Sequence, residues 1–339
     1  MQKIEIQREM IIRGHFQMPL ISASNYRPSI LFKNAHFQTI YPPLFRKVKN
    51  VNYVRERIFT PDHDFIDLDW SRVGADRVVI ILHGLEGHSR RSYMLGMISA
   101  FNMRRWDAVA FNFRGCSGEP NRLLRSYHCG ATEDLHAVVS HVMRIEHYTC
   151  ISLVGFSAGG NITLMYLGEK KYPVSSLIKC AAAVSVPCDL ESSANKLARR
   201  SNILYMKRFL VMFHDKIRIK MRMMPNTIDD ANYHSIRTFK DFDERYTAPI
   251  HGFSSAKDYW SKCSCRQFLH GINIPVLLIN ARDDPFLGKK CYPVKEAKDS
   301  RHLFFEMPKY GGHAGFVDVG SSGEYWHEKR IAAFITKNA

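Results

Sequence analysis

The sequence predicts an α/β protein: a mostly parallel central sheet with helices on both faces and one helical insertion. Three observations carry that prediction. Short β-branched runs alternate with helix-periodic segments along most of the chain, the pattern of strands joined by crossover helices. Several runs, "RVVIILHG" (77–84) among them, are apolar without alternation, as expected of strands covered on both faces. Finally, "LVGFSAGGN" (153–161) joins such a run to a helix through a serine crowded by glycines. Sheets of this kind bind ligands beyond the carboxyl ends of their strands.

In chain order, residues 1–50 read as an arm packing on the core. Its "NAHFQTIYPPLF" is too rich in proline and aromatics for a regular helix. "HFQT" within it is expected to pack across the sheet and to carry no catalysis. The opening "MQKIEIQREM" is charged and lacks the apolar segment of a signal peptide. No stretch approaches the ~18 apolar residues that span a bilayer, so a cytoplasmic location is expected.

The core begins at 51 and runs to 186. "RERIF" and "FIDLDW" read as paired strands, the second alternating apolar and acidic residues. After the strand at 77–84 come a helix in "SYMLGMISAFNMRR" and a strand in "DAVAFNF". "ATEDLHAVVSHVMRIE" is helical, with Thr132, Glu133 and Asp134 as opening chemistry. "CISLVGF", "GGNITLMYLGEK" and "KCAAAVSVP" continue as strand, helix and strand. Residues 187–265 hold no convincing strand and are predicted to form a helical cap or lid over the strand ends. The core resumes at 266–339 with the strands "IPVLLINA" and "RHLFFEMP" and the helix "EYWHEKRIAAFITK".

Composition narrows the function classes. At 339 residues, 45% hydrophobic and 24% charged, the chain is of ordinary globular type. Its net charge of +16 favours anionic partners. Nine lysines and arginines against one aspartate fall between 196 and 222. Weak contact with an anionic membrane surface through this segment is one expectation. The competing one is a solvated helix face whose apolar stripe covers a pocket. No nucleic-acid-binding module is recognisable, so no specific nucleic acid is expected. The eight cysteines include no C-x-x-C pair, and reduced thiols are the expectation.

The chemistry converges on Ser157. "GFSAG" is a G-x-S-x-G turn between a strand and a helix. A serine on so strained a bend needs small neighbours, supplied by Gly155 and Gly159. A serine hydroxyl needs a base, and the base an orienting acid, in the chain order serine, acid, histidine. "NARDDPF" and "YGGHAGF" follow in that order, making His313 the candidate base. Asp284, just before Pro285, is preferred over Asp283 as the acid. The N–H groups of Ala158 and Leu85 are the candidate oxyanion donors. His83 is expected to pack behind that loop. Arg114 either pairs with an acid or braces its loop, bracing being preferred; Tyr127 and His128 line the pocket or pack beneath it.

With these residues in view, the chain resembles the YheT-type family of α/β-hydrolases, relatives of the animal abhydrolase-domain lipases. "NAHFQTIYP", "LHGLEGHSRRSY", "NFRGCSGEPNR", "YHCGATEDL", "VGFSAGGN", "FDERYTAPIHGF", "DYW", "NARDDPF" and "GGHAGFV" carry the resemblance, in order, from about 34 to 318. It implies the α/β-hydrolase fold and a triad of Ser157, Asp284 and His313. It also implies esterase- or lipase-like action with no cofactor and no metal, but no choice of substrate; the expected substrate is a small-molecule or lipid ester, short- to medium-chain acyl esters foremost.

Overall fold

The computed structural model describes residues 20, 21, 23–318, 320 and 323–339; the charged opening segment read above lies outside the described residues. The strands are β1 (Leu20–Ile21), β2 (Val54–Phe59), β3 (Phe65–Ser71), β4 (Arg77–Leu82), β5 (Asp107–Asn112), β6 (Cys150–Phe156), β7 (Ile178–Val184), β8 (Val276–Ile279) and β9 (Leu303–Glu306). They form one sheet in the order β1-β9-β8-β7-β6-β4-β5-β3-β2. Only the pairings of β3 with β2 and β5 are antiparallel; the rest are parallel.

The helices of eight residues or more are α1 (Ala35–Phe45), α2 (Ser92–Asn102), α3 (Thr132–Met143), α4 (Ala158–Gly168), α5 (Leu190–Leu197), α6 (Ile203–Met223), α7 (Ala256–Cys263) and α8 (Trp326–Asn338). Two apolar layers sandwich the sheet. One joins Leu135 and Val139 of α3 and Ile162 of α4 to Ile80 and Leu153. The other joins Met97 of α2 and Ile331 of α8 to Ile81 and Val154. Neighbouring residues of β4 and β6 thus face opposite layers, which explains their unbroken apolar runs.

One expectation is corrected. "NAHFQTIYPPLF" is a helix, α1, in spite of Pro42 and Pro43. Both prolines lie in its last turn, where a fixed φ suits a helix and only two backbone bonds are lost. Asn34 caps the other end by accepting from the Phe37 N–H at 3.0 Å. The arm also pairs with the sheet, β1 lying parallel to β9.

The acidic residues of β3 are buried as well. Asp67 and Asp69 receive Arg57 and Arg55 of β2 at 2.7 and 2.8 Å. Ser117 donates to Asp67 at 2.6 Å, and Ser89 to Asp69 at 2.5 Å. Carboxylates so paired remain charged under cover.

Between β7 and β8 the described residues form no strand. Here α6 turns Met206, Leu210, Phe213 and Ile217 inward at helical spacing. They pack with Tyr233, Tyr246 and Phe286 in a third apolar cluster.

Candidate active site

Register brings the candidate residues to one edge. Leu82 of β4 pairs with Gly155 of β6, Phe156 with Val184 of β7, Val184 with Ile279 of β8, and Ile279 with Glu306 of β9. The loops that leave these aligned ends carry Leu85, Ser157, Ser185, Asp283, Asp284 and His313.

Ser157 holds φ at 52° and ψ at −116° immediately before α4. A non-glycine residue with this backbone stores about 1–3 kcal/mol of strain. Its N–H donates to the Val184 carbonyl at 2.8 Å, so the bend is anchored to β7. A side chain at Gly155 would collide with the Gly159 carbonyl, and one at Gly159 would lie 2.5 Å from the His83 carbonyl. Both glycines therefore make room for the turn.

His313 Nε2 lies 3.0 Å from Ser157 Oγ. Its Nδ1 lies 2.9 Å from Asp284 Oδ2 and 3.1 Å from Oδ1. The Asp284 side chain is fully buried and also accepts from the Phe286 N–H at 2.8 Å. This order allows Nδ1–H to donate to the carboxylate, leaving the Nε2 lone pair for the serine hydroxyl. The Phe286 ring packs 4.2 Å from the imidazole.

Asp283 turns away from His313 and accepts from the Gly312 N–H at 3.0 Å. Burial, the largest influence, pushes its carboxyl up to about 6. Leu85 and Ala158 line the same small cavity as Ser157 and His313. A side chain at Gly84 would lie 3.2 Å from Ser157 Cβ, so the loop after β4 passes close to the serine.

His83 is fully buried. Its Nδ1 lies 2.7 Å from the Gly84 carbonyl and Nε2 accepts from the Phe113 N–H at 3.1 Å. Burial pushes it down to about 3, so it is a neutral brace. Arg114 pairs with Asp134 at 2.7 Å, Asp62 at 2.8 Å and Asp64 at 3.2 Å, so it braces by pairing. Tyr127 donates to Glu86 at 2.8 Å. With His128 it lines a cavity of about 410 Å³ beneath α6.

The sequence reading missed the support of His313. Thr39 of α1 accepts from the His313 N–H at 2.9 Å while donating to the Ala35 carbonyl at 2.7 Å. Gln38 accepts from the Val317 N–H at 3.0 Å, and Ser185 from the Ala314 N–H at 2.9 Å. Gly312 has φ 56°, and a side chain there would lie 2.8 Å from Thr39 Oγ1. "HFQT" therefore reaches the histidine loop, a correction to its expected role. The glycines beside His313 were the one signal that something packs closely there.

Two spaces meet at Ser157. A cavity of about 80 Å³, lined by Leu190, Ala194, Leu197, Phe209 and Trp260, lies on one side. A groove of about 350 Å³ between α1 and α6 lies on the other, bordered by Ile40, Leu44, Leu204 and Arg208. Half of the basic residues in α6's second half turn inward. Lys216 meets Glu86 at 2.9 Å, and Lys220 donates to the carbonyls of Asn121 and Leu123. Among the described residues no helix is long and apolar enough to cross a membrane.

Known proteins resemble this chain along most of its length. The alpha/beta hydrolase fold family matches residues 77–318. A protein of Escherichia coli (strain K12) named "Putative esterase YheT" is 33% identical over 93% of this chain and 94% of its own length. Phospholipase ABHD3 of Mus musculus is 31% identical over 88% of this chain and 74% of its own. The solved structure of the Pyrococcus furiosus esterase Pf2001 superposes with a TM-score of 0.57 at 18% identity, covering 87% of this chain and 97% of that one. That likeness speaks for the fold. The chain belongs to the YheT-type family of α/β-hydrolases.

Proposed function

We propose that this protein is a serine hydrolase of carboxylic esters. The observation that carries the reading is the 3.0 Å approach of His313 Nε2 to Ser157 Oγ on a strained strand-to-helix bend, with buried Asp284 behind it. Ser157 attacks the ester carbonyl while His313 takes its proton. Asp284 holds the imidazole and stabilises the imidazolium. The N–H groups of Ala158 and Leu85 receive the developing oxyanion; one such donor is worth about 3 kcal/mol. His313 then gives its proton to the departing alcohol. A water activated by the same imidazole releases the acid and restores Ser157.

Residues 187–265 serve as the lid. Their α5 and α6 wall the 80 Å³ cavity, which takes the acyl chain, while the wider groove admits the alcohol. So small an acyl space supports short- to medium-chain esters. The esterase and phospholipase names of the relatives support ester cleavage in general.

The test is covalent labelling with a fluorophosphonate probe. The parent is expected to label at Ser157, and Ser157→Ala and His313→Ala to lose labelling. Unlabelled parent that is folded and hydrolyses no ester refutes the reading.

A further inference from the structure

We infer that the mouth of the groove leading to Ser157 docks on an anionic lipid bilayer. This deepens the reading of Ser157 as an ester nucleophile and rests on it for the groove's role.

Nine of the fifteen large apolar side chains that stand exposed among the described residues lie at 30–45 or 203–211. Leu44, Phe45, Leu204 and Val211 are each more than 60% exposed. Scattered exposed leucines need no explanation, but a concentrated patch does. These two segments are neighbours in space. His36 Nδ1 lies 3.2 Å from the Tyr205 hydroxyl, and both helices border the groove. Ile40, Leu44 and Leu204 of this set line the groove itself, so the patch adjoins the entrance to the serine.

The charges its two segments carry are of one sign, and the one carboxylate lining the groove, Glu86, is paired with Lys216. Lys33, Lys47, Lys207 and Arg208 are exposed within or beside it, and no aspartate or glutamate occurs from 25 to 55 or from 192 to 214. Apolar side chains flanked by lysine and arginine on a helix suit the boundary between headgroups and acyl chains. A second copy is a poor occupant. A twofold contact brings the same patch against itself, and like charges would face each other. An anionic bilayer supplies the complementary charge and places lipid esters at the groove.

The test is co-sedimentation of the full chain with phosphatidylcholine vesicles, with and without phosphatidylglycerol, at low and high salt. The parent is expected to bind the anionic vesicles at low salt and to dissociate at high salt. Lys207→Ala should weaken binding roughly fivefold, and Phe45→Asp with Val211→Asp should abolish it. All of these variants should hydrolyse a water-soluble butyrate ester as the parent does, which verifies their folding. Ser157→Ala should bind vesicles like the parent, so docking survives even if the hydrolase reading fails. Absence of parent binding, or equal binding by the surface variants, overturns the inference. So does a parent dimer that the Phe45 and Val211 changes dissociate.

Discussion

The bond from His313 N–H to Thr39 Oγ1 gives a sharp prediction, because it crosses from the arm to the proposed base. Thr39→Val keeps the shape of the side chain and deletes the acceptor. The 2.9 Å bond is lost, and a half-buried N–H is stranded at a cost of about 1–3 kcal/mol. If that cost falls on the arrangement that receives the serine proton, kcat drops by about 5- to 150-fold. KM for a short ester should stay near its parent value, since Thr39 lines the groove and valine keeps its shape there. Thr39→Ser retains the hydroxyl and should recover most of the rate. The assay is steady-state hydrolysis of a soluble nitrophenyl butyrate, with thermal unfolding measured alongside. A Thr39→Val protein with a lowered melting temperature and unchanged kcat would refute a positioning role.

Other expectations follow from the same geometry. Asp284→Asn should lower kcat by about 10⁴-fold, as a neutral amide favours the wrong imidazole tautomer, while Asp283→Asn should leave it within a fewfold of the parent. The Asp283 carboxyl is held up at about 6 by burial, so its ionisation opposes folding as pH rises from about 4 through 6. Asp283→Asn should therefore raise the melting temperature at pH 8, with the gain vanishing below pH 4; no gain at pH 8 counts against a buried charge there. Arg114→Met strands buried Asp134 and Asp64, and denaturant unfolding should show about 3–5 kcal/mol lost. Ala194→Leu fills part of the 80 Å³ cavity, and a chain-length series should shift toward shorter acyl groups.

Most of the sheet was legible because its signals are local. The runs in β4, β6 and β8 are apolar on both faces, and each ends in residues that suit a loop rather than a strand. The Ser157, Asp284 and His313 positions were legible from glycine placement and chain order. What was not legible depends on distant partners. The double proline of α1 argues against a helix until Gln38 and Thr39 find the histidine loop. Asp67 and Asp69 read as polar residues on an alternating strand, and only pairing with β2 reveals why they are buried. The charge of α6 reads as one face, yet Lys216 and Lys220 turn inward because Glu86 and two loop carbonyls wait there.

The contact between Thr39 and His313 also has a consequence for how the protein is made. Its two halves lie 274 positions apart, so the segment carrying Thr39 must wait on the ribosome for the one carrying His313. At ordinary translation speeds that wait lasts roughly 14–55 s. A nascent chain can assemble much of its sheet during this interval and still lack the approach of His313 to Ser157. Competence to cut esters is thereby deferred until the His313 loop has been made, which spares the emerging chain and its surroundings from a half-built hydrolase.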